Sequence, residues 1–186
     1  MSATAQKVAL HRAEVVAREL VDYLRPACVR VEIAGSIRRG EPFVGNIEIL
    51  AEPRFSTEKT HDLFRTPCEV DLLKRSLEAL EVANLLVRHP VRKCDGERAK
   101  ARWQPEAQIA VDLFIIRPPA EWGPALVIRT GPSLFSAAMV SSLRRRNLRS
   151  EGLRILTELN DRVPCPDEET FFRLCNRPYL PPERRR

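Results

Sequence analysis

The stretch from Gly35 to Leu50 constrains this chain more than any other. It follows Val29-Arg30-Val31-Glu32-Ile33-Ala34, whose clean period of two reads as a strand. Gly35 and Ser36 turn the chain, Gly40 and Pro42 lie in the connection, and residues 45–51 form a second strand. Alternation puts Asn46 and Glu48 on one face of that strand, with Ile47 and Ile49 on the other. Two metal-capable oxygens therefore stand beside a turn rich in N–H groups and in the positive charge of Arg38 and Arg39. A site for a metal-bound phosphate would be built this way. Taken singly, the parts have plainer readings: a strand-end turn for Gly35-Ser36, and surface residues for the two arginines.

The rest of the chain supplies a fold around this stretch. Val8, Val15, Val16, Leu20 and Leu24 recur at helical spacing over residues 5–25, and Pro26 ends the helix. Residues 53–67 lack any clear period and read as a surface loop. Residues 69–83 have the spacing of a helix, residues 85–93 that of a strand, and Asp95-Gly96 marks a hairpin turn into a partner strand at 98–103. Ile109 to Ile116 is the most apolar strand and carries one carboxylate, Asp112, in its middle. A lone acid in a buried strand is costly unless it is paired or bound to metal; the residues alone leave both open.

Beyond Pro118-Pro119, residues 120–129 and 133–146 read as helices separated by Thr130-Gly131-Pro132. Arg144, Arg145, Arg146 and Arg149 gather charge near the end of the second helix. They suit either a solvated helix end favourable to the dipole or contact with phosphates. A short helix near 167–175 follows, and residues 183–186 read as a frayed basic tail. The order of elements predicts an α+β fold, with one domain over 1–119 and a smaller, mostly helical module over 120–186.

Charge points to the class of partner. A formal net charge of +6 and a pI near 9.4 suit a polyanion. The five cysteines are scattered, without a CxxC or a Cys/His cluster, which disfavours a zinc site or disulfide framework and fits reduced thiols in a cytoplasm. His11, His61 and His89 have no partners at catalytic or metal spacing. No apolar run approaches the roughly 20 residues of a membrane span.

In order along the chain, Gly35-Ser36, Asn46-Ile47-Glu48, Val111-Asp112-Leu113, Trp122-Gly123, Thr130-Gly131-Pro132, the arginine-rich helix end, and Pro166-Asp167-Glu168-Glu169 before Phe171-Phe172 resemble the DNA polymerase beta-like (family X) nucleotidyltransferases. The short length is similar to the minimal palm-plus-thumb form of viral, phage and bacterial members. The resemblance implies a nucleotidyltransferase palm with a mixed sheet and flanking helices over 1–119, a thumb-like module over 120–186, and no lyase domain.

It also implies two Mg²⁺ (or Mn²⁺) ions at the positions of Asn46, Glu48 and Asp112. By the same resemblance, Gly35, Ser36, Arg39 and Gly45 would hold the triphosphate of a deoxynucleotide, with Thr130 and Gly131 beside its sugar. Arg144, Arg145, Arg146 and Arg149 would grip primer-template or gapped DNA, with the chain acting as a monomer in gap filling or repair.

The sequence departs from that pattern in three places. Asn46 stands where the family has an aspartate, Ile128 and Arg129 stand where it usually has two aromatics, and Val140 replaces an arginine that reaches the template. Asn46 lowers the charge of the cluster, so polymerase activity is expected to be weakened or abolished. The alternatives are a catalytically silent nucleotide- and DNA-binding pseudo-polymerase, or nucleotidyl transfer to another acceptor.

Overall fold

The computed structural model describes residues 7–59, 66–89, 97–103 and 109–185. The first half runs β1 (Val8–Ala9), α1 (Leu10–Leu24), β2 (Cys28–Ile33), α2 (Gly35–Arg38), β3 (Phe43–Val44), β4 (Asn46–Pro53), β5 (Phe55–Lys59), β6 (Pro67–Asp71) and α3 (Leu72–Val82). It continues with β7 (Leu86–His89), β8 (Glu97–Trp103), β9 (Ala110–Ile115), α4 (Trp122–Thr130), α5 (Ser133–Arg144), β10 (Leu148–Glu151), β11 (Arg154–Thr157), β12 (Arg162–Val163) and α6 (Glu168–Leu174). The fold is α+β, and its main sheet is mixed: in the order β2-β4-β9-β8-β7, only β4 and β9 run parallel.

The period of two divides the two central strands between two environments. Ile47, Ile49 and Ala51 of β4 and Val111, Leu113 and Ile115 of β9 pack with Leu20 and Leu24 of α1 and Leu73, Leu77 and Leu80 of α3. Each such buried leucine contributes about 1.5–3 kcal/mol relative to exposure. On the opposite face, Leu50, Phe114 and Ile116 are covered by Trp122, Ala125 and Leu126 of α4. Asn46, Glu48 and Asp112 belong to that second face, toward the start of β4. The helix thus covers the apolar half of the face and ends beside the polar half.

Gly123 is what lets α4 sit so close to the chain entering α6. Its N–H donates to the Cys165 carbonyl at 3.1 Å, and a Cβ there would stand 2.2 Å from the Asp167 carbonyl oxygen. A second core lies behind α4, formed by Val127, Met139, Leu143, Ile155, Phe171 and Phe172. Asp167 caps α6 by accepting from the Thr170 N–H at 2.7 Å, with Glu168 and Glu169 favourably placed in its first turn. Burial pushes the Cys28 thiol up to about 11 and that of Cys165 to about 12, so neither is a ready nucleophile.

Several local expectations change. Within the stretch expected as a loop, residues 60–65 lie outside the described residues, while residues 55–59 form β5, which pairs with β6 as an antiparallel ribbon from Phe55↔Asp71 to Lys59↔Pro67. Its side chains are largely exposed, so neither face carries the apolar alternation that would announce a strand. The helix expected from residue 69 starts at Leu72, where Asp71 caps it by accepting from the Lys74 N–H. The first helix starts at Leu10 because Val8 and Ala9 pair with β3.

Residues 148–163 add a three-stranded antiparallel sheet, β10-β11-β12, to the helices of the C-terminal segment. The Asp95-Gly96 turn lies outside the described residues, while β7 and β8 pair antiparallel on either side of it. The basic tail is not frayed at residue 185, since Arg185 is buried at 1% exposure. No helix among the described residues is long and apolar enough to cross a membrane.

Candidate active site

The parallel register of β4 and β9 sets Glu48 directly beside Asp112, with Asn46 one step earlier on the same face. The Asn46 side-chain amide donates to Asp112 Oδ2 at 2.8 Å. Asp112 is 7% exposed, while Asn46 and Glu48 are half-buried. The carboxylate in the apolar strand therefore has a partner on the neighbouring strand, which answers the cost of placing an acid there.

Glu48 is set by Gly35. At that position φ is +63°, a left-handed conformation, and a Cβ would lie 1.8 Å from Glu48 Oε2. Only glycine lets the carboxylate lie against the turn. The Ala34 N–H donates to the Glu48 carbonyl at 2.8 Å and ties the turn to β4. The Gly35-Ser36 turn itself is a single helical turn, α2, with Ser36 half-buried and Arg39 at its end. Gly45 borders open space, with no atom within 4 Å of where its Cβ would be.

The two arginines of the turn divide their work. Arg39 donates through Nη1 to the Thr130 carbonyl, and it lies against Gly131, where a Cβ would meet Nη1 at 3.3 Å. Its Nε is 3.5 Å from Glu41 Oε1, an ion-pair distance without hydrogen-bond geometry. Arg38 donates to the Thr130 hydroxyl at 3.0 Å and makes a two-pronged pair with Glu168 at 2.7 and 2.9 Å. The end of α4 is thereby clamped to the turn by both guanidinium groups. Arg129, in the last turn of α4, lies over the Phe114 ring at 4.1 Å from its centroid. A cation thus occupies the side of the site where the sequence departs from two aromatics.

Glu168 is a buried ion-pair residue of the candidate site to which the sequence assigned no role. It accepts from Arg38 and from Arg185 Nη1, the latter at 2.8 Å, and Tyr179 Oη is 3.5 Å away. Burial alone would raise its carboxyl, but hydrogen bonds from Arg38 and Arg185 and their charges outweigh burial and hold it below the ordinary carboxylate value. Its position straight after a cap residue, Asp167, was the signal available: an acid in a first helical turn reads as solvated.

The expected nucleotide and metal positions thus come together: Gly35, Ser36, Arg39, Glu48, Asp112, Asn46, Thr130 and Gly131 lie around the polar half of the sheet face. Arg144, Arg145 and Arg146 lie elsewhere, exposed at the far end of α5. Since α5 has 12 residues and starts just past Gly131, they stand about 18 Å along it. Arg149 is apart from them on β10, where it donates to the Thr157 carbonyl and to Asn160 and pairs with Glu151.

As a donor set for metal, the cluster offers two carboxylates and one amide oxygen. No group of three or more His, Cys, Asp or Glu side chains suited to a metal ion occurs among the described residues. Hard divalent cations favour anionic oxygen. Two carboxylates suit a divalent ion completed by phosphate oxygens, while the neutral amide at position 46, already donating to Asp112, is a weaker donor than a third carboxylate would be.

No protein-family model and no curated protein matches the sequence. Solved structures do. The chain superposes over 97% of its length on Leishmania infantum polymerase beta in a ternary P/T complex, with a TM-score of 0.67 and 18% identity, covering 77% of that chain. For the same protein in a ternary gap complex the TM-score is 0.71 at 16% identity, again over 97% of this chain and covering 71% of the other. At such identities the likeness is one of architecture: this chain has a polymerase beta-like fold.

Proposed function

We propose that the chain is a DNA-directed DNA polymerase of the polymerase beta type, slowed by Asn46, that adds deoxynucleotides to a primer 3′-hydroxyl in gap filling or repair. The observation that carries this reading is the pairing of Glu48 and Asp112 across β4 and β9 beside a turn clamped to Thr130 and Gly131. In this reading Ser36 and Arg39 hold the β- and γ-phosphates, and Thr130-Gly131 lies along the sugar. Glu48 and Asp112 hold a divalent ion, which supplies charge neutralisation at the reacting phosphate. The clamp of Arg38 and Arg39 orients the sugar against the carboxylates, which is where positioning lowers the barrier.

Residues 120–185 take the thumb-like role. The roughly 18 Å from Gly131 to the arginine end of α5 corresponds to about five phosphates of one DNA strand. Arg144, Arg145 and Arg146 are the exposed cations for that strand, and Arg149 serves its own sheet. Replacing the three exposed arginines by glutamine is expected to weaken binding to all DNA sequences alike. It should reduce the slope of log K against log salt by about 0.9 for each phosphate that is no longer neutralised, as read by fluorescence anisotropy across a salt series. An unchanged slope would remove these residues from the interface.

The test of the whole reading is single-nucleotide incorporation on a gapped duplex with Mg²⁺ or Mn²⁺. Slow incorporation that Asp112→Asn abolishes is the expected result. The second reading, a binding-only protein, is favoured by the Asn46–Asp112 hydrogen bond, which needs no ion to hold the site together. Nucleotide and gapped-DNA binding without incorporation at any metal concentration would select it.

A further inference from the structure

We infer that Asn46 takes the structural place of one of the two ions, so that this site accepts a single divalent cation together with the nucleotide; this rests on the nucleotidyltransferase reading above. The starting point is the orientation of the side chain. An asparagine beside a carboxylate has two settings, and only one is attractive: N–H toward the acid. Here Nδ2 is 2.8 Å from Asp112 Oδ2, so the setting is the attractive one.

To offer Oδ1 to a cation shared with Asp112, the amide has to turn over. That turn breaks a hydrogen bond to a charged acceptor, which is among the stronger kinds. It also yields a neutral ligand in place of an anionic one. Both changes weaken an ion at that position, the first by about ten- to a hundredfold. The ion carried in with the triphosphate escapes this penalty. The residues that would hold it, Glu48 and Asp112, are neighbours in register, and the Glu48 carboxylate lies against Gly35 beside the phosphate-binding turn. The asymmetry is thus built into the strand: position 48 faces the turn, and position 46 is engaged with Asp112.

A three-carboxylate version of this face would repel itself without cations and recruit two. The observed version is held together internally, so the ion count falls from two to one. The count is read by electron paramagnetic resonance of Mn²⁺, with the α,β-imido analogue of a deoxynucleoside triphosphate and a gapped duplex bearing a primer. Two Mn²⁺ ions about 3.5–4 Å apart give an exchange-coupled spectrum, and one ion gives the isolated six-line pattern.

The wild-type chain is expected to hold one uncoupled Mn²⁺ per nucleotide, and Asn46→Asp two coupled ions. Asn46→Ala, which removes the amide without adding charge, should keep one ion, and it melts at lower temperature than wild type in chelator if the amide bond holds the site. A coupled pair in the wild-type chain overturns the inference and leaves the polymerase reading standing. A single ion in both the wild-type chain and Asn46→Asp overturns Asn46 as the cause. Absence of nucleotide-dependent Mn²⁺ in every variant overturns both.

Discussion

Glu168→Ala is expected to lower the stability of the chain by about 3–5 kcal/mol, the usual cost of removing one partner from a buried ion pair. For a chain of this length that is a fall in melting temperature on the order of 10 °C. The reason lies in what would be left behind. The Arg185 side chain is 0% exposed and lies 5.1–5.8 Å from the ring centroids of Phe135, Phe172 and Tyr179. Its Nε donates to the Leu180 carbonyl, its Nη1 to Glu168, and its Nη2 has no hydrogen-bond partner among the described residues. Without Glu168 a whole positive charge would sit among aromatic faces with one carbonyl for company. Arg38, at 21% exposure, could turn to water, but it would release the Thr130 hydroxyl and loosen the clamp between the turn and the end of α4.

Two controls separate charge from packing. Glu168→Leu combined with Arg185→Met removes both charges at similar volume, and should be less destabilised than Glu168→Leu alone. The pH dependence follows from the lowered carboxyl. Because its folded value lies below the ordinary 4.5, its contribution is fully present above that value and is lost as pH falls through the folded one. Thermal melts from neutral pH to about pH 3 should therefore show an acid limb in the wild-type chain that is shallower in Glu168→Gln. Melting of Glu168→Ala within about 2 °C of wild type, under 1 kcal/mol, would show that the cluster holds nothing together.

The sequence grouped the residues of the polar strand face better than it disclosed what braces them. Alternation along β4 put Asn46 and Glu48 on one face because a strand has no other choice, and the structure agrees. The parallel register that brings Asp112 beside Glu48 depends on a strand far along the chain, and no local pattern reports it. The same holds for Arg38 and Glu168, 130 residues apart. Read locally, Arg38 is a surface residue and Glu168 a solvated acid of a first turn; the pair between them, with Arg185 as a second partner of Glu168, is visible only in the fold.

Arg185 shows the limit most clearly. In a run of arginines at a chain end, nothing local distinguishes the one that enters an aromatic box. The ribbon β5–β6 was invisible for the opposite reason: its pairing is real but carries little burial, so it leaves no hydrophobic period to read.

Asn46→Asp is expected to raise single-turnover incorporation by about 10²–10³-fold at saturating Mg²⁺, the usual weight of one well-placed electrostatic partner at a reacting phosphate. The substitution is nearly isosteric, so the strand and its register should survive it. What changes is the sign of one interaction. In wild type the Asn46 amide donates to Asp112; in the variant two anionic oxygens face each other across the same gap. In chelator this should cost on the order of 2 kcal/mol, the missing bond to a charged acceptor together with some repulsion. The melting temperature is then lower than wild type by several degrees. Added Mg²⁺ should reverse the order, since the cations that the variant recruits bind only its folded form. Rate and apo stability thus move in opposite directions, a pattern that a general improvement in folding cannot produce. A variant that is less stable in chelator, more stable in Mg²⁺ and no faster would show that position 46 binds ions without contributing to the chemical step. A variant indifferent to Mg²⁺ in both assays would remove position 46 from the metal site altogether. With the predicted pair of results, the slow incorporation proposed for this chain is located in one side-chain nitrogen.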